Sequence, residues 1–191
     1  ILDGGRHCSI ASVPGMEGRT IITSGASKSY SWTGGRIGWA HFPTIEEAGV
    51  FTNLNINYFS CVPPYNQEGA RLALESSESA GSIAAMISEY QRRRDFVVAA
   101  LNRIDGITCQ LPKGAFYVFP NIEGVVKRLA IREAFDSLPE DRRTLTTPST
   151  LFQMFLLFRY FVAVLDRKSF GRIGTDNMHF LRLSIATGYD D

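Results

Sequence analysis

Cysteine is scarce in this sequence and poorly arranged for cross-linking. Its three residues, Cys8, Cys61 and Cys109, are odd in number, widely spaced and never part of a C-x-x-C pair. They therefore give no sign of a disulfide framework or of a zinc site built from cysteine pairs. Because disulfides are rare in reducing compartments, we predict a cytoplasmic protein, and we assign no metal ligand.

Long apolar runs and an excess of charge are lacking as well. The longest apolar run, residues 151–165, is interrupted by Gln153, Arg159 and Tyr160, so it is too short and too polar to span a bilayer. The formal net charge is +1, with acids and bases mixed along the chain. We therefore predict neither a membrane nor a nucleic acid as partner, whereas small neutral or acidic ligands are compatible with this charge.

An initiator methionine is also lacking. The sequence opens at Ile1 and runs at once into the turn residues Gly4 and Gly5, which is typical of a segment that follows a strand or helix. We expect these 191 residues to be the back part of a longer chain. With 45% hydrophobic residues, they can still bury a core in one or two domains.

The hydrophobic pattern predicts a mixture of strands and helices. The pairs Thr44 with Glu47 and Thr147 with Pro148 are signals that start helices. The arginines at 92–94 are interpreted as a solvated helix face without function. Two predicted helices begin at residue 44 and near residue 66, and two more cover residues 79–104 and 151–160. The predicted strands are 20–23, 36–42, 162–165 and 180–184, of which we expect the first to be buried. Residues 107–111 and 115–119 are predicted to form a hairpin.

Lysine is the scarcer basic residue, since only four of the twenty lysines and arginines are lysines. Lys28 lies on the connection between two predicted strands, in a stretch that carries no other acid, lysine or arginine from Thr20 to Gly35. A lysine amine can be made neutral and can then attack a carbonyl, which an arginine cannot do. A reactive amine is therefore one interpretation of Lys28.

The neighbours of Lys28 suit a phosphate. Ser24, Ser27 and Ser29 offer hydroxyl donors, and Arg36 offers a planar fork that can bind phosphate through two hydrogen bonds. The alternative is a lysine on a polar surface loop with an unrelated arginine in the next strand. Composition and spacing by themselves favour that alternative.

The stretch from residue 24 to residue 40, SGASKSYSWTGGRIGWA, resembles the cofactor-lysine segment of the class I/II aminotransferases. These are fold type I pyridoxal-phosphate enzymes, among them aspartate aminotransferase. The resemblance implies that Lys28 holds pyridoxal 5'-phosphate as a Schiff base and that Arg36 and Ser24 bind its phosphate. Lys28 and Arg36 are then expected to face one cavity.

Two further segments resemble the same family. Residues 112–120, PKGAFYVFP, are similar to its small-domain hairpin, and residues 162–186 are similar to its closing segment. The resemblance implies that Arg182 binds the substrate α-carboxylate. Ser60 matches a region that reaches the partner's phosphate in the family's two-fold dimers, so a homodimer is expected.

Two positions depart from the family pattern. The family often has tryptophan directly before the phosphate arginine, where this chain has Gly35, and we expect that position to be tolerant. It also tends to have Pro-Gly after the strand that ends at Leu165, where this chain has Asp166 and Arg167. The local turn there is left open.

The resemblance implies an α/β fold: the C-terminal part of a fold type I pyridoxal-phosphate-dependent transferase. Residues 1–64 would be the C-terminal remnant of the large cofactor-binding domain and its sheet. Residues 65–105 would form a helical connection that includes a long interdomain helix, and residues 106–191 the small α+β C-terminal domain.

The implied function is an aminotransferase of amino acid metabolism that moves an amino group between an amino acid and a 2-oxo acid. The family's partner for the pyridine nitrogen and its ring-stacking group have no counterpart here, so the fragment alone is expected to be inert. Other fold type I chemistry, by a lyase, decarboxylase or cyclase, stays open, as does an aminotransferase-like module that senses the cofactor in a transcription regulator. A serine hydrolase of the S-x-x-K type is set aside because Gly25 occupies the serine position.

Overall fold

The computed structural model describes residues 1–170 and 178–188, and the chain forms two compact units. Unit 1 consists of Ile1–Gly5 and Ser88–Asp191, and unit 2 is Arg6–Ile87. The helices predicted at residue 44 and over residues 79–104 and 151–160 are confirmed within a few residues, as Ile45–Phe59, Ser77–Leu101 and Pro148–Tyr160. Thr44 caps the N-terminus of a helix by accepting a hydrogen bond from the Glu47 backbone N–H at 3.2 Å, as the capping box requires.

Unit 2 contains two antiparallel strands and the helices that follow them. Strand β1 (Ile22–Gly25) pairs with strand β2 (Gly38–His41), with Gly25 opposite Gly38. Between them lie the short helix α1 (Ala26–Ser29) and a 3-10 turn (Thr33–Gly35). Helices α2 (Ile45–Phe59) and α3 (Pro64–Glu75) follow, and α4 (Ser77–Leu101) begins in this unit.

The predicted burial of the first strand was wrong. Ile22 in β1 is exposed, and every residue of β2 is exposed too. The small core of unit 2 instead gathers Ala26, Ile37 and Ala70, with Tyr30, Trp32 and Val62 packed against it. A two-stranded sheet has too little surface to bury both faces, so the core forms where residues of the connection between the strands pack against Ala70 of α3.

Unit 1 holds a three-stranded antiparallel sheet with the order β3 (Tyr117–Val118), β5 (Leu181–Ser184), β4 (Leu165–Asp166). The second half of α4 lies in this unit. One cluster of its core includes Ile122, Val125, Phe152 and Leu181, and another includes Val98, Cys109, Val118 and Ile185. The remaining helices are α5 (Glu123–Arg128), α6 (Ile131–Asp136), α7 (Glu140–Arg143) and α8 (Pro148–Tyr160).

The predicted hairpin of residues 107–111 with 115–119 is not formed. Strand β3 pairs with β5 rather than with residues 107–111. Thr108 instead forms a two-way backbone pair with Asn121, whose N–H donates to the Thr108 carbonyl at 2.8 Å. The turn signal at Lys113 and Gly114 is local and says nothing about which strand is the partner.

Arg94 also corrects a prediction. It belongs to the run of three arginines on α4, yet it is only 1% exposed. Its guanidinium donates to both carboxylate oxygens of Asp3, at 2.6 and 2.7 Å, to Asp95 at 2.8 Å and to the Pro112 carbonyl at 3.0 Å. Of the three arginines, Arg92 is exposed as predicted, whereas Arg93 is partly buried and donates to the Ala186 and Thr187 carbonyls at 3.2 and 2.6 Å.

Within residues 1–170 and 178–188, no helix combines the length and the apolar character needed to cross a membrane.

Candidate active site

Lys28 lies on α1, which directly follows β1 at the point where β1 and β2 approach each other closely. A Cβ atom on Gly38 would lie 2.8 Å from the Ser24 carbonyl oxygen, so glycine allows the strands to approach here. The fully buried Ala26 fixes α1, because its N–H donates to the Ile37 carbonyl at 3.1 Å. Lys28 itself is exposed. The connection predicted between the two strands is thus anchored two residues before the lysine.

Arg36 follows the 3-10 turn in a left-handed conformation, with φ 47° and ψ 42°. This left-handed conformation is energetically unfavourable for arginine, and strained backbone conformations of this kind often occur at functional sites. Two hydrogen bonds hold the turn: Nη1 of Arg36 donates to the Thr33 carbonyl at 3.2 Å, and Nδ2 of Asn66 donates to the Gly35 carbonyl at 2.8 Å. Asn66 was not singled out in the sequence, because its partner lies on another element.

Gly35 is not a tolerant position, which corrects the expectation stated above. It is buried, and a Cβ atom there would lie 2.4 Å from Cε2 of Trp32. The same indole ring would meet a Cβ atom on Gly69 of α3 at 2.6 Å. Trp32 therefore fills the space beside Arg36 that a residue at position 35 would otherwise use.

Ser60 ends α2 with φ 64°, a positive value that is also uncommon for serine. Ser60 and Arg36 line the same cavity of unit 2, whose volume is about 860 Å³. Arg71 lines it as well, but this arginine is already paired with Glu68 at 2.6 Å.

The other two predicted cofactor residues have a different relation to this cavity. Neither Ser24 nor Lys28 belongs to its lining, so the cavity joins Arg36 with Ser60 and does not reach the lysine. Ser24 is the β1 partner of Trp39, which does line the cavity. Directly opposed residues of an antiparallel pair share one face, so Ser24 lies on the face of Trp39.

Arg182, the predicted carboxylate ligand, lies on β5 in unit 1. Its guanidinium carbon is 4.2 Å from the centre of the Tyr117 ring and 4.3 Å from the centre of the Phe170 ring. Aromatic faces attract a planar cation and leave its N–H groups directed outward in the plane. The two rings thus orient the arginine fork without neutralising its charge.

The turn after Leu165 is fixed by Asp166, which takes the place of the family's Pro-Gly. The buried Asp166 carboxylate accepts hydrogen bonds from the Ser169 backbone N–H at 3.1 Å and from its hydroxyl at 2.8 Å. It thereby starts a 3-10 turn at Arg167–Phe170. Gly171, within the 162–186 segment that is similar to the family's closing segment, lies outside the described residues.

The chemistry of these donors fits pyridoxal phosphate. A primary amine can bond its aldehyde, and a guanidinium with hydroxyl groups suits its phosphate. Among the described residues, no group of three or more histidine, cysteine or acidic side chains is placed to hold a metal ion.

Comparison with known proteins gives a consistent result. The model of the family "Aminotransferase class I and II" matches residues 5–191. An aspartate aminotransferase of Rhizobium meliloti is 34% identical over 98% of this chain, and one of Pyrococcus abyssi is 33% identical over all of it. The chain spans 42% of the length of each of these relatives.

Solved structures agree. The aspartate aminotransferase of Rhizobium meliloti superimposes with a TM-score of 0.79 at 31% identity, and the aromatic aminotransferase of Pyrococcus horikoshii with 0.78 at 33%. Each comparison covers all of this chain and 43% or 44% of the other. The predicted α/β fold class, part of the fold type I aminotransferase architecture, is thus confirmed. The chain belongs to the class I and II aminotransferase family.

Proposed function

We propose that the protein is a pyridoxal-phosphate-dependent aminotransferase, which exchanges an amino group between an amino acid and a 2-oxo acid. The observation that carries the proposal is the placing of Arg36 and Ser60, a cation and a hydroxyl from separate elements, on one cavity of the unit that presents Lys28. Membership of the family supplies the reaction class.

The proposed role of Lys28 is to bond the cofactor and to move a proton. Pyridoxal phosphate supplies an electron sink when bound. The Nζ atom of Lys28, once displaced by the amino group of the substrate, accepts the proton from the substrate α-carbon and gives it up again to complete the transfer. The anchoring of α1 through Ala26 limits the positions that this amine can take.

Arg36, Ser24 and Ser60 would hold the phosphate, and Arg182 the substrate carboxylate. A guanidinium binds phosphate or carboxylate through two parallel hydrogen bonds, which orients the bound molecule as well as attracting it. The left-handed backbone of Arg36 and the two aromatic rings packed against Arg182 reduce the freedom of each fork. Less ordering entropy is then lost when an anion binds.

We propose an acidic or aromatic amino acid as substrate, because the relatives are named as aspartate and aromatic aminotransferases. A homodimer in the cytoplasm is proposed as the working form, although Ser60 is assigned to the phosphate of its own subunit because it lines the same cavity as Arg36. These proposals rest on the family and on the cysteine pattern.

Reductive trapping followed by peptide mass spectrometry tests the role of Lys28. The protein at its full encoded length is incubated with pyridoxal phosphate and reduced with borohydride. We expect the added mass on the peptide that contains Lys28, its loss in Lys28→Arg, and no change in the control Lys127→Arg, which alters an exposed lysine of α5. Label on other lysines alone would contradict the proposal.

A panel of amino acids with 2-oxoglutarate then tests the reaction class. Saturable formation of a 2-oxo acid supports an aminotransferase. Trapping on Lys28 without transfer, together with release of carbon dioxide or ammonia, would indicate one of the other fold type I chemistries. Trapping without any turnover would favour a cofactor-sensing module.

A further inference from the structure

Unit 1 contains a second cavity, of about 470 Å³, with a strongly basic wall. Arg132 of α6 lines it, as do Arg167 and Lys168 of the last 3-10 turn. Among the described residues that line it, none is an aspartate or a glutamate. Three positive charges that meet on one concave surface raise the local concentration of anions. Arg182 is not part of this wall.

Arg132 is positioned by a neutral partner. Its Nη2 lies 3.0 Å from Nε2 of His179, whose Nδ1 lies 3.2 Å from the Ser149 hydroxyl. Nε2 must accept from the guanidinium, so the proton of the neutral ring is on Nδ1 and is donated to Ser149. His179 thereby orients the arginine without neutralising its charge.

The surroundings of His179 favour this neutral form. The imidazole is only 6% exposed, and its burial lowers the pKa below the ordinary value. Glu123 raises the pKa, whereas the positive charges of Arg132 and Arg167 lower it further. Among ion pairs of residues 1–170 and 178–188, none includes Arg132 or Lys168.

The start of α8 adds further donors to the same wall. Thr147 caps this helix, accepting from the Thr150 N–H at 3.1 Å, and the 13-residue helix points its N-terminus toward this region. Thr144, Thr146, Thr147 and Ser149 all line the cavity. The Thr144 hydroxyl already donates to the Asp141 carbonyl at 2.8 Å and the Thr147 hydroxyl to Thr150, so Thr146 and Ser149 are the hydroxyls that add donors to the wall. The partial positive charge of a helix N-terminus favours a bound anion.

The rest of the wall is apolar and provides room for more than an ion. Phe135, Pro148 and Met178 line it. A volume of 470 Å³ lies in the range of pockets that bind small organic ligands, which is about 300–1,000 Å³. An isolated phosphate would leave most of this space unfilled.

We infer that this cavity is a binding site for a phosphate monoester: Arg132, Arg167 and Lys168 hold the phosphate group, and Phe135 with Met178 contacts an apolar organic part. The site belongs to unit 1 and does not depend on Lys28 or Arg36 for its donors.

Calorimetric titration with phenyl phosphate, inorganic phosphate and phenol tests the inference in the full-length protein. All titrations use Arg36→Gln, so that the proposed cofactor phosphate site does not contribute. We expect phenyl phosphate to bind most tightly, inorganic phosphate more weakly and phenol undetectably. Adding Arg132→Gln or Lys168→Gln should weaken phenyl phosphate binding about tenfold or more, since each removes a charged hydrogen bond.

Matched controls separate this site from general surface charge. Arg142→Gln and Lys127→Gln remove the same charges from exposed side chains outside the cavity, and we expect affinities within about twofold of the parent. Thermal unfolding verifies that each variant is folded, and Lys168 is itself exposed. Equal weakening in cavity and control variants, or no binding in the Arg36→Gln parent, would overturn the inference while leaving the aminotransferase proposal unaffected.

Discussion

The indole ring of Trp32 occupies the space into which any side chain on Gly35 would project. Other atoms of the same ring pack against Gly69, so α3 and the turn before Arg36 both contact one aromatic side chain. Asn66 holds the same turn from α3 through the Gly35 carbonyl. The contacts that Trp32 and Asn66 make with Gly35 therefore fix the backbone that leads into Arg36, the proposed phosphate ligand.

Replacing Gly35 by alanine should destabilise the protein. The added methyl would need to displace Trp32, and overpacking of this kind costs about 1–3 kcal/mol. Gly34→Ala is the matched control, because a Cβ atom at Gly34 meets nothing within 4 Å. Urea unfolding monitored by tryptophan fluorescence measures both. Equal free energies of unfolding for the two variants would show that Trp32 can adopt another conformation at little energetic cost.

Gly69 and Gly81 should respond in opposite directions to the same change. Both are helical, and alanine in a helix interior is favoured over glycine by about 1 kcal/mol. Gly81→Ala should realise this gain, since its surroundings are open, whereas Gly69→Ala must push Trp32 away and should lose stability. Free energies of unfolding of the two variants test this, and a stabilised Gly69→Ala would contradict the packing of Trp32 against Gly69.

Arg36→Gly and Arg36→Ala should separate strain from binding. Both remove the guanidinium, so both should lose affinity for pyridoxal phosphate. Glycine accepts the left-handed conformation without the penalty of about 1 kcal/mol that alanine pays, so Arg36→Gly should be the more stable variant. Equilibrium binding and chemical unfolding measure the two effects. Unchanged cofactor affinity in both variants would remove Arg36 from the phosphate site.

The Asp3 and Arg94 pair should stabilise the protein in a pH-dependent way. Hydrogen bonds from Arg94 lower the pKa of Asp3 below its ordinary value of 3.8, against the opposing effect of burial. The stabilisation is therefore fully present above that ordinary pKa and is lost as the pH falls through the lowered one. Asp3→Asn should be less stable than the parent at neutral pH, and the difference should vanish in strong acid.

Asp105→Asn is the control for this pair. Asp105 bonds the exposed Arg128 at 2.9 Å, and surface pairs of this kind contribute about 0–1 kcal/mol. Its removal should leave the pH dependence of unfolding almost unchanged. If the two aspartate variants gave the same profile, the buried position of Arg94 would have no energetic consequence.

Arg182→Lys should raise KM for the amino acid about tenfold or more while changing cofactor affinity little, because lysine keeps the charge but loses the planar fork. Arg159→Lys is the control, since it alters an exposed arginine that lies 5.6 Å from the Tyr160 ring. Steady-state kinetics and cofactor titration give the two readouts. Equal loss of substrate and cofactor binding would make Arg182 a structural residue.

Features that depend on neighbouring residues were predictable from the sequence. Thr44 with Glu47 and Thr147 before Pro148 mark helix starts because their hydrogen bonds span only three residues. The long helix was predicted within a few residues of Ser77–Leu101 for the same reason. The segment around Lys28 was informative as a pattern, although its roles in the cofactor site are still predictions.

The sequence alone determined the family, the α/β class and, to within a few residues, the starts of the four longest helices described, α2, α3, α4 and α8, because these depend on local patterns of residues. The tertiary structure decided the rest: β3 pairs with β5, Arg94 is buried against Asp3, and Trp32 closes the space at Gly35. Asp3 and Arg94 are 91 positions apart, and nothing near either residue specifies the other. Such contacts form only when the folded chain brings distant segments together, and there the surroundings determine whether an arginine is solvated or buried.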